Sequence, residues 1–207
     1  RNFTNKIWNA ARFVLMNLEG YEPGAPERAG LELKDRWILS RLNALTSRVC
    51  ASLDDYRFNE AANSLYQFIW HELCDWYLEM AKPALYQKED SGRRLRTQQV
   101  MVRVLRTALE LLHPVMPFVT EEIWQKLPGA GQSIVITRFP EVRQHEQDSR
   151  AEADIDMIIQ VVSAIRNIRS EMNVPPAAKL HADLLCHDTA AGVNLRQHSS
   201  TVAGLAG

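Results

Sequence analysis

Apolar residues recur every three or four positions through most of this 207-residue chain, the pattern of amphipathic helices. Phe3, Ile7, Ala10, Ala11, Val14, Leu15 and Leu18 form the inner side of a first helix, with Trp8 at its margin. Ile38, Leu42, Leu45, Val49 and Leu53 mark a second helix, and Phe58, Ala62, Leu65, Ile69, Leu73, Trp76 and Met80 a third. A fourth is expected over 91–113, with an apolar arc wide enough to pack on two sides. A fifth is expected over 117–127, opened by Pro117, and a sixth over 152–171 on Ile155, Ile158, Ile159, Val162, Ile165 and Ile168. Prolines mark the boundaries, because proline breaks a helix interior and biases its predecessor away from helix. They stand at Pro23, Pro26, Pro83, Pro114, Pro117, Pro128, Pro140, Pro175 and Pro176.

Two short apolar runs, SIVITRF at 133–139 and KLHADLLC at 179–186, have the length of strands and are expected to pair against the sixth helix. Residues 190–207 read as the start of a further helix. The fold class expected is therefore mainly α: a helical bundle over 1–128 and a small α/β appendage over 129–207.

The first helix has an unusual outer side. At about 100° per residue, Asn2, Asn5, Lys6, Asn9, Arg12, Phe13 and Met16 gather within a sector about 120° wide. A solvated face ordinarily favours Glu and Lys, which form helix well. This one has three asparagines, two cations, no acid and an outward phenylalanine. Asn and Arg hydrogen-bond base edges and phosphates, and an exposed Phe stacks on an unpaired base, the combination that reads single-stranded loops. The same pattern also suits a helix buried on two faces with Phe13 in a core.

Charge sharpens the picture. The net charge of −1 excludes a globally basic nucleic-acid binder, but the sign is unevenly distributed. Residues 1–18 contain Arg1, Lys6 and Arg12 and no acid; residues 91–109 contain Arg93, Arg94, Arg96, Arg103 and Arg106 and no acid, whereas 141–156 is acid-rich. Arg93, Arg96, Arg103 and Arg106 share a sector that suits backbone phosphates or an ion-paired surface. Cys50, Cys74 and Cys186 are scattered and odd in number, fitting free thiols in a reducing, cytoplasmic compartment. No apolar run approaches the roughly 20 residues of a membrane span, and no secretory leader is present. The first residue is not Met and the last are TVAGLAG, so a piece of a longer chain is expected.

Other constellations carry little chemistry. His71, Glu72 and Cys74 in HELC, and Cys186-His187, lack the paired spacing of a zinc site. Asp75 and Glu79, one turn apart with Lys82 nearby, read as ion-pairing groups. Tyr66, Phe68, Trp70, Trp76 and Tyr77 read as core. No phosphate loop or nucleophile–base arrangement stands out, so no catalytic residue and no metal ligand is expected.

Four stretches together resemble one family. FTNKIWNAARFVLMNL (3–18), FNEAANSLYQFIWHELCDWYLEMAKP (58–83), LLHPVMPFVTEEIWQKL (111–127) and IRNIRSEMNVPPAAK (165–179) are similar, in order and spacing, to the C-terminal anticodon-binding region of class I aminoacyl-tRNA synthetases of the valine, isoleucine and leucine subgroup. KIWNAARFVLMNL and RSEMNVPP are closer to the valine branch than to the other two. The resemblance implies a class Ia helical bundle docking a tRNA anticodon stem-loop, joined to the rest of a synthetase chain, and cut before a coiled coil. The family's HIGH-type and KMSKS-type catalytic segments are absent here, as is its editing domain. ATP and Mg are implied for the parent enzyme's catalytic domain, and no cofactor for this piece. The residues expected to meet tRNA are Asn5, Lys6, Asn9, Arg12 and Phe13, with Arg96 and Arg103 from the arginine stripe. An isoleucine parent, or an interaction scaffold without RNA, are the alternatives.

Overall fold

The structure, a computed structural model, describes residues 2–87, 90–175 and 177–207, so Arg1 and Pro176 lie outside it. The chain divides into two compact units, Arg1–Asp148 and Ser149–Gly207. In the first, α1 (Asn2–Met16) and α2 (Leu33–Asp54) are followed by α3 (Phe58–Gln67), a π-helical segment (Phe68–Tyr77) and α4 (Leu78–Tyr86), which run on as one rod. Then come α5 (Ser91–Leu112) and α6 (Pro117–Trp124). The second unit contains α7 (Ser149–Glu171), α8 (Thr189–Gln197) and α9 (Ser199–Ala206). The mainly helical class is as expected.

Each helix of the bundle follows from local chemistry. The side chain of Asp90 accepts the backbone N–H of Arg93 at 2.8 Å and so caps α5, and Pro117 opens α6 where its missing N–H does no harm. α5 is the central element: Val100, Met101, Val104, Leu105, Ala108 and Leu109 are fully buried. In the HPVMPFVTEE stretch, His113 Nδ1 meets Thr120 Oγ1 at 2.7 Å, and Glu121 accepts Ser133 Oγ at 2.9 Å and Ile134 N at 3.2 Å. That motif therefore closes a corner of the bundle.

One polar line crosses this interior. Tyr77, wholly buried, donates its hydroxyl to Asp35 Oδ1 at 2.9 Å. Asp35, 1% exposed, also accepts the backbone N–H of Glu32 at 3.3 Å, and Lys34 lies 3.5 Å away. Glu32 in turn pairs with Lys34 and, at 2.7 Å, with Arg93 of α5. Burial pushes the Asp35 carboxyl above its ordinary range, against the pull of Lys34 and the Tyr77 hydroxyl.

The structure corrects several expectations. Along 58–86 a regular α period places Trp76 inside. The π segment, whose N–H groups reach five residues back, shifts the phase, so Ile69, Leu73 and Tyr77 are buried at spacings of four and Trp76 is only half-buried. Pro83 does not end the helix, which continues to Tyr86 because Ala84 and Leu85, at 1% and 3% exposure, hold that turn. Among the described residues there is no strand. Ser133–Phe139 winds into a single 3₁₀ turn, Ile134–Ile136, closed by Thr137 on the carbonyl of Ile134 at 2.7 Å, so it offers no extended edge. Residues 179–186 have no regular structure and expose Leu180, Leu184 and Leu185. The appendage is helical instead: α9 packs on α7, and Arg166 donates to the carbonyl of Leu205 at 2.6 and 2.9 Å. The expected division at 128 leaves 129–148 with the appendage. In the structure that stretch is tied to α2, with Arg143 N donating to Asn43 Oδ1 at 2.6 Å and Asp148 N to Ser40 Oγ at 2.9 Å.

Two non-glycine residues adopt left-handed backbone, and both end helices. Asn173 (φ 52°) follows α7 and suits its place, as asparagine tolerates this region. Tyr56 (φ 59°) follows α2, with Arg57 N on Ser52 O at 2.7 Å and Tyr56 N on Leu53 O at 3.0 Å, a motif that glycine normally closes. Its ring is 80% exposed, so no core contact offsets the strain. Tyr56→Gly is expected to raise stability by about 1 kcal/mol in thermal or urea unfolding. Tyr77→Phe is expected to lower it by about 1–3 kcal/mol, since Asp35 is left buried and short of a donor; an unchanged midpoint would mean that another donor replaces the phenol.

Candidate nucleic-acid interface

α1 buries Ile7, Ala10, Ala11 and Val14 and leaves its polar side outward, as the wheel implies. It lies parallel to the 58–86 rod. Phe3 meets Tyr66 with ring centroids 5.3 Å apart; Lys6 meets both Trp70 and Asp75; Phe13 stands beside Leu78 and Lys82 in a shared cleft of about 220 Å³. Two contacts fix Lys6: its Nζ donates to Asp75 Oδ1 at 2.6 Å and sits 5.0 Å from the centroid of the Trp70 ring. Asp75 also receives His71 Nδ1 at 3.1 Å. Glu79 is paired with Lys82 at 2.6 Å, so both acids beside α1 are balanced by cations.

The expected contact residues separate into two kinds. Asn5, Asn9 and Arg12 are exposed and have no hydrogen-bond partner among the described residues. Lys6 and Phe13 are half-buried. Phe13 is therefore neither a core residue nor a fully outward one: one part of the ring lines the cleft and the other faces out. Met16 continues this edge at 77% exposure. Cys74 lines the same cleft, but burial pushes its thiol up to about 12, which removes it from nucleophilic chemistry.

The arginine stripe is largely engaged within the chain. Arg93 holds Glu32 at 2.7 Å, and Arg103 Nη2 lies 2.5 Å from both carboxylate oxygens of Glu146. Arg106 lies over Trp124, 5.2 Å from the ring centroid, and donates to the carbonyl of Pro128 at 3.3 Å. Arg96 packs across Gly30, where an added Cβ would fall 2.8 Å from Arg96 Cδ, and it has no ion partner among the described residues. Glycine is required there by that close approach.

The family model for the anticodon-binding domain of tRNA ligases matches residues 35–184. The chain belongs to that family. It is 48% identical over 206 residues to a valine–tRNA ligase of Carboxydothermus hydrogenoformans, covering 100% of this chain and 23% of that protein. It is 48% identical to one of Geobacter sulfurreducens, covering 90% and 21%, and 42% identical to one of Bacillus cereus, covering 97% and 23%. The chain thus spans under a quarter of the length of these relatives, and α1, outside the family match, falls within the first alignment. The resemblance to the valine branch holds.

Within this anticodon-binding domain the structure adds residues that the sequence reading assigned to the core. Phe68 and Tyr77 are buried, but Tyr66 is 36% exposed and Trp70 half-buried, stacked on each other at 5.4 Å and 23°. With Phe3, Lys6 and His71 they form a part-exposed aromatic cluster beside the open face of α1. The only signal was the acid-free first helix itself; a helix period cannot show that α1 and the rod run parallel. Glu72 of the HELC sequence is the partner of Arg41, through two bonds of 2.8 and 2.9 Å. Among the described residues no group of three His, Cys, Asp or Glu could hold a metal ion. No helix is long and apolar enough to cross a membrane.

Glu110 lines a second cavity, of about 350 Å³, together with Asn43, Thr46 and Arg143. Burial pushes its carboxyl up to about 7, against the opposing pull of Arg106 and Arg143. The folded form thus holds its proton more tightly than the unfolded chain, so the contribution to stability is present below pH 4.5 and lost as pH rises through 7. Thermal unfolding of Glu110→Gln is expected to show a higher midpoint than the parent above pH 7 and a matching one below pH 4.5. Equal midpoints at both ends would place the ionised carboxylate in water.

Proposed function

We propose that this chain reads the anticodon arm of a tRNA as part of a valine–tRNA ligase. The observation that carries the reading is the open face of α1, where Asn5, Asn9 and Arg12 present donors and acceptors with no internal partner next to the edge of Phe13. Asparagine and arginine suit base edges and phosphates, and Phe13 suits an unpaired base stacked on its free side. Lys6 contributes a cation already fixed in place by Asp75 and Trp70. Arg96, the member of the stripe without an ion partner, suits a backbone phosphate; Arg103 can serve only after leaving Glu146. The joining of valine to tRNA, with its ATP and Mg, belongs in this reading to the remainder of the ligase. Family membership supports tRNA binding and a place in a larger synthetase chain; the cytoplasm is the compartment that this reading implies.

The test uses this chain and a valine tRNA anticodon stem-loop across a salt series. Binding is expected to weaken as salt rises, as contacts to phosphates require. Phe13→Ala is expected to leave thermal stability nearly unchanged while weakening binding by about 1–3 kcal/mol, the size of one base–aromatic stack. A loss of about 3 kcal/mol of stability would make Phe13 a packing residue. Equal affinity for an isoleucine tRNA stem-loop would point to the other branch, and no binding at low salt would favour an interaction scaffold.

A further inference from the structure

Residues 143–148 form a strap over the bundle. It is pinned at both ends to α2, by Arg143 N on Asn43 Oδ1 and Asp148 N on Ser40 Oγ, two side chains one helical turn apart. Between the pins is a single 3₁₀ turn, Gln144–Glu146, and Glu146 reaches from it across to Arg103 of α5. Beneath and around the strap is a cavity of about 220 Å³. Four arginines line it (Arg28, Arg36, Arg103 and Arg143) with His145, against the carboxylates of Glu146 and Asp148. Asp148 balances Arg36 at 3.0 Å. Glu146, whose side chain is 12% exposed, is left to face Arg103 at 2.5 Å, Arg143 at 3.8 Å and His145 at 3.7 Å.

One carboxylate therefore sits among more positive charge than it can neutralise. Arg143 and His145, 58% and 68% exposed, approach it only at the edge of contact, and Arg28 has no ion partner among the described residues. A tetrahedral anion has more oxygens than a carboxylate and can meet several such donors together. The strap is short and exposed apart from Glu146, the type of segment that opens at little free-energy cost.

We propose that this cavity is a phosphate-binding site of the domain, filled in the free chain by Glu146 and taken over by a backbone phosphodiester of the bound RNA. It rests on the RNA-binding reading, and it assigns to Arg103 a contact that becomes available only when the strap lifts. Glu146 then acts as a tethered competitor: RNA must displace it to gain Arg103 and Arg143.

The experiment compares the chain with its Glu146→Gln variant in binding the same stem-loop across a salt series. The variant is expected to bind about three- to tenfold tighter at low salt, with a salt slope steeper by about one phosphate contact. The gain is expected to vanish in a double variant that also carries Arg103→Gln. If Glu146→Gln unfolds the chain, Glu146→Asp, which withdraws the carboxylate by one methylene, takes its place. Equal affinity and slope for variant and parent, while Phe13→Ala still weakens binding, would overturn the proposal and leave Glu146 a structural clip. If neither protein binds RNA, the functional reading fails, and inorganic phosphate decides the cavity by itself. A saturable change in the Arg103 guanidinium NMR signal of the Gln variant, weaker in the parent, supports the site; no change overturns it.

Discussion

Tyr77 extends into the middle of the bundle to meet Asp35, and the helices around it are arranged by that bond. A carboxylate with 1% exposure is tolerable only if its oxygens are supplied with donors, and here they come from three directions: the phenol, the backbone at the start of α2, and Lys34. Through Glu32 the same line continues to Arg93, so the 58–86 rod, α2 and α5 are tied at one level of the bundle. Apolar packing alone would permit the rod to turn about its axis. The bond does not, because Tyr77 must point at α2. Asp75, two residues earlier, then points toward α1, where Lys6 takes it up. The open face of α1 is thus held in place by a hydrogen bond on the far side of the rod.

Much of this fold was legible in the sequence because helical burial writes itself as period. The inner side of α1 was read correctly, as were the extents of α2 and α5 to within a residue or a few. The failures have physical causes. A π turn carries no composition signal, so the rod was read at a constant period and Trp76 was put where Tyr77 belongs. The β-branched run at 134–136 looked extended because its residues favour strands, yet a strand needs a partner edge, and Glu121 captures the start of the run first.

The site was legible as a face and not as a set of contacts. An acid-free helix with three asparagines could be recognised from residue types, but the partners of its cations are distant in sequence. Lys6 and Asp75 are 69 positions apart, and Arg103 and Glu146 are 43 apart. Nothing local to either residue announces its partner. The arginine stripe was correct as a geometric statement about α5, while most of its charge is balanced by acids of other segments. Tyr66 and Trp70 were hidden for the opposite reason: aromatic residues near a core resemble core until the neighbouring helix is placed.

The double engagement of Lys6 bears on how this face would sort among the many polyanions of a cell. A lysine on a long, mobile side chain greets any phosphate equally and discriminates little. One already seated between a carboxylate and an indole ring offers its remaining coordination in a single direction. Adventitious anions gain little by approaching it from elsewhere. A correctly shaped ligand meets a charge whose orientation has already been fixed, so less order has to be imposed at the moment of contact. The ion pair with Asp75, which would look like a charge withdrawn from use, becomes the means by which one cation is made selective.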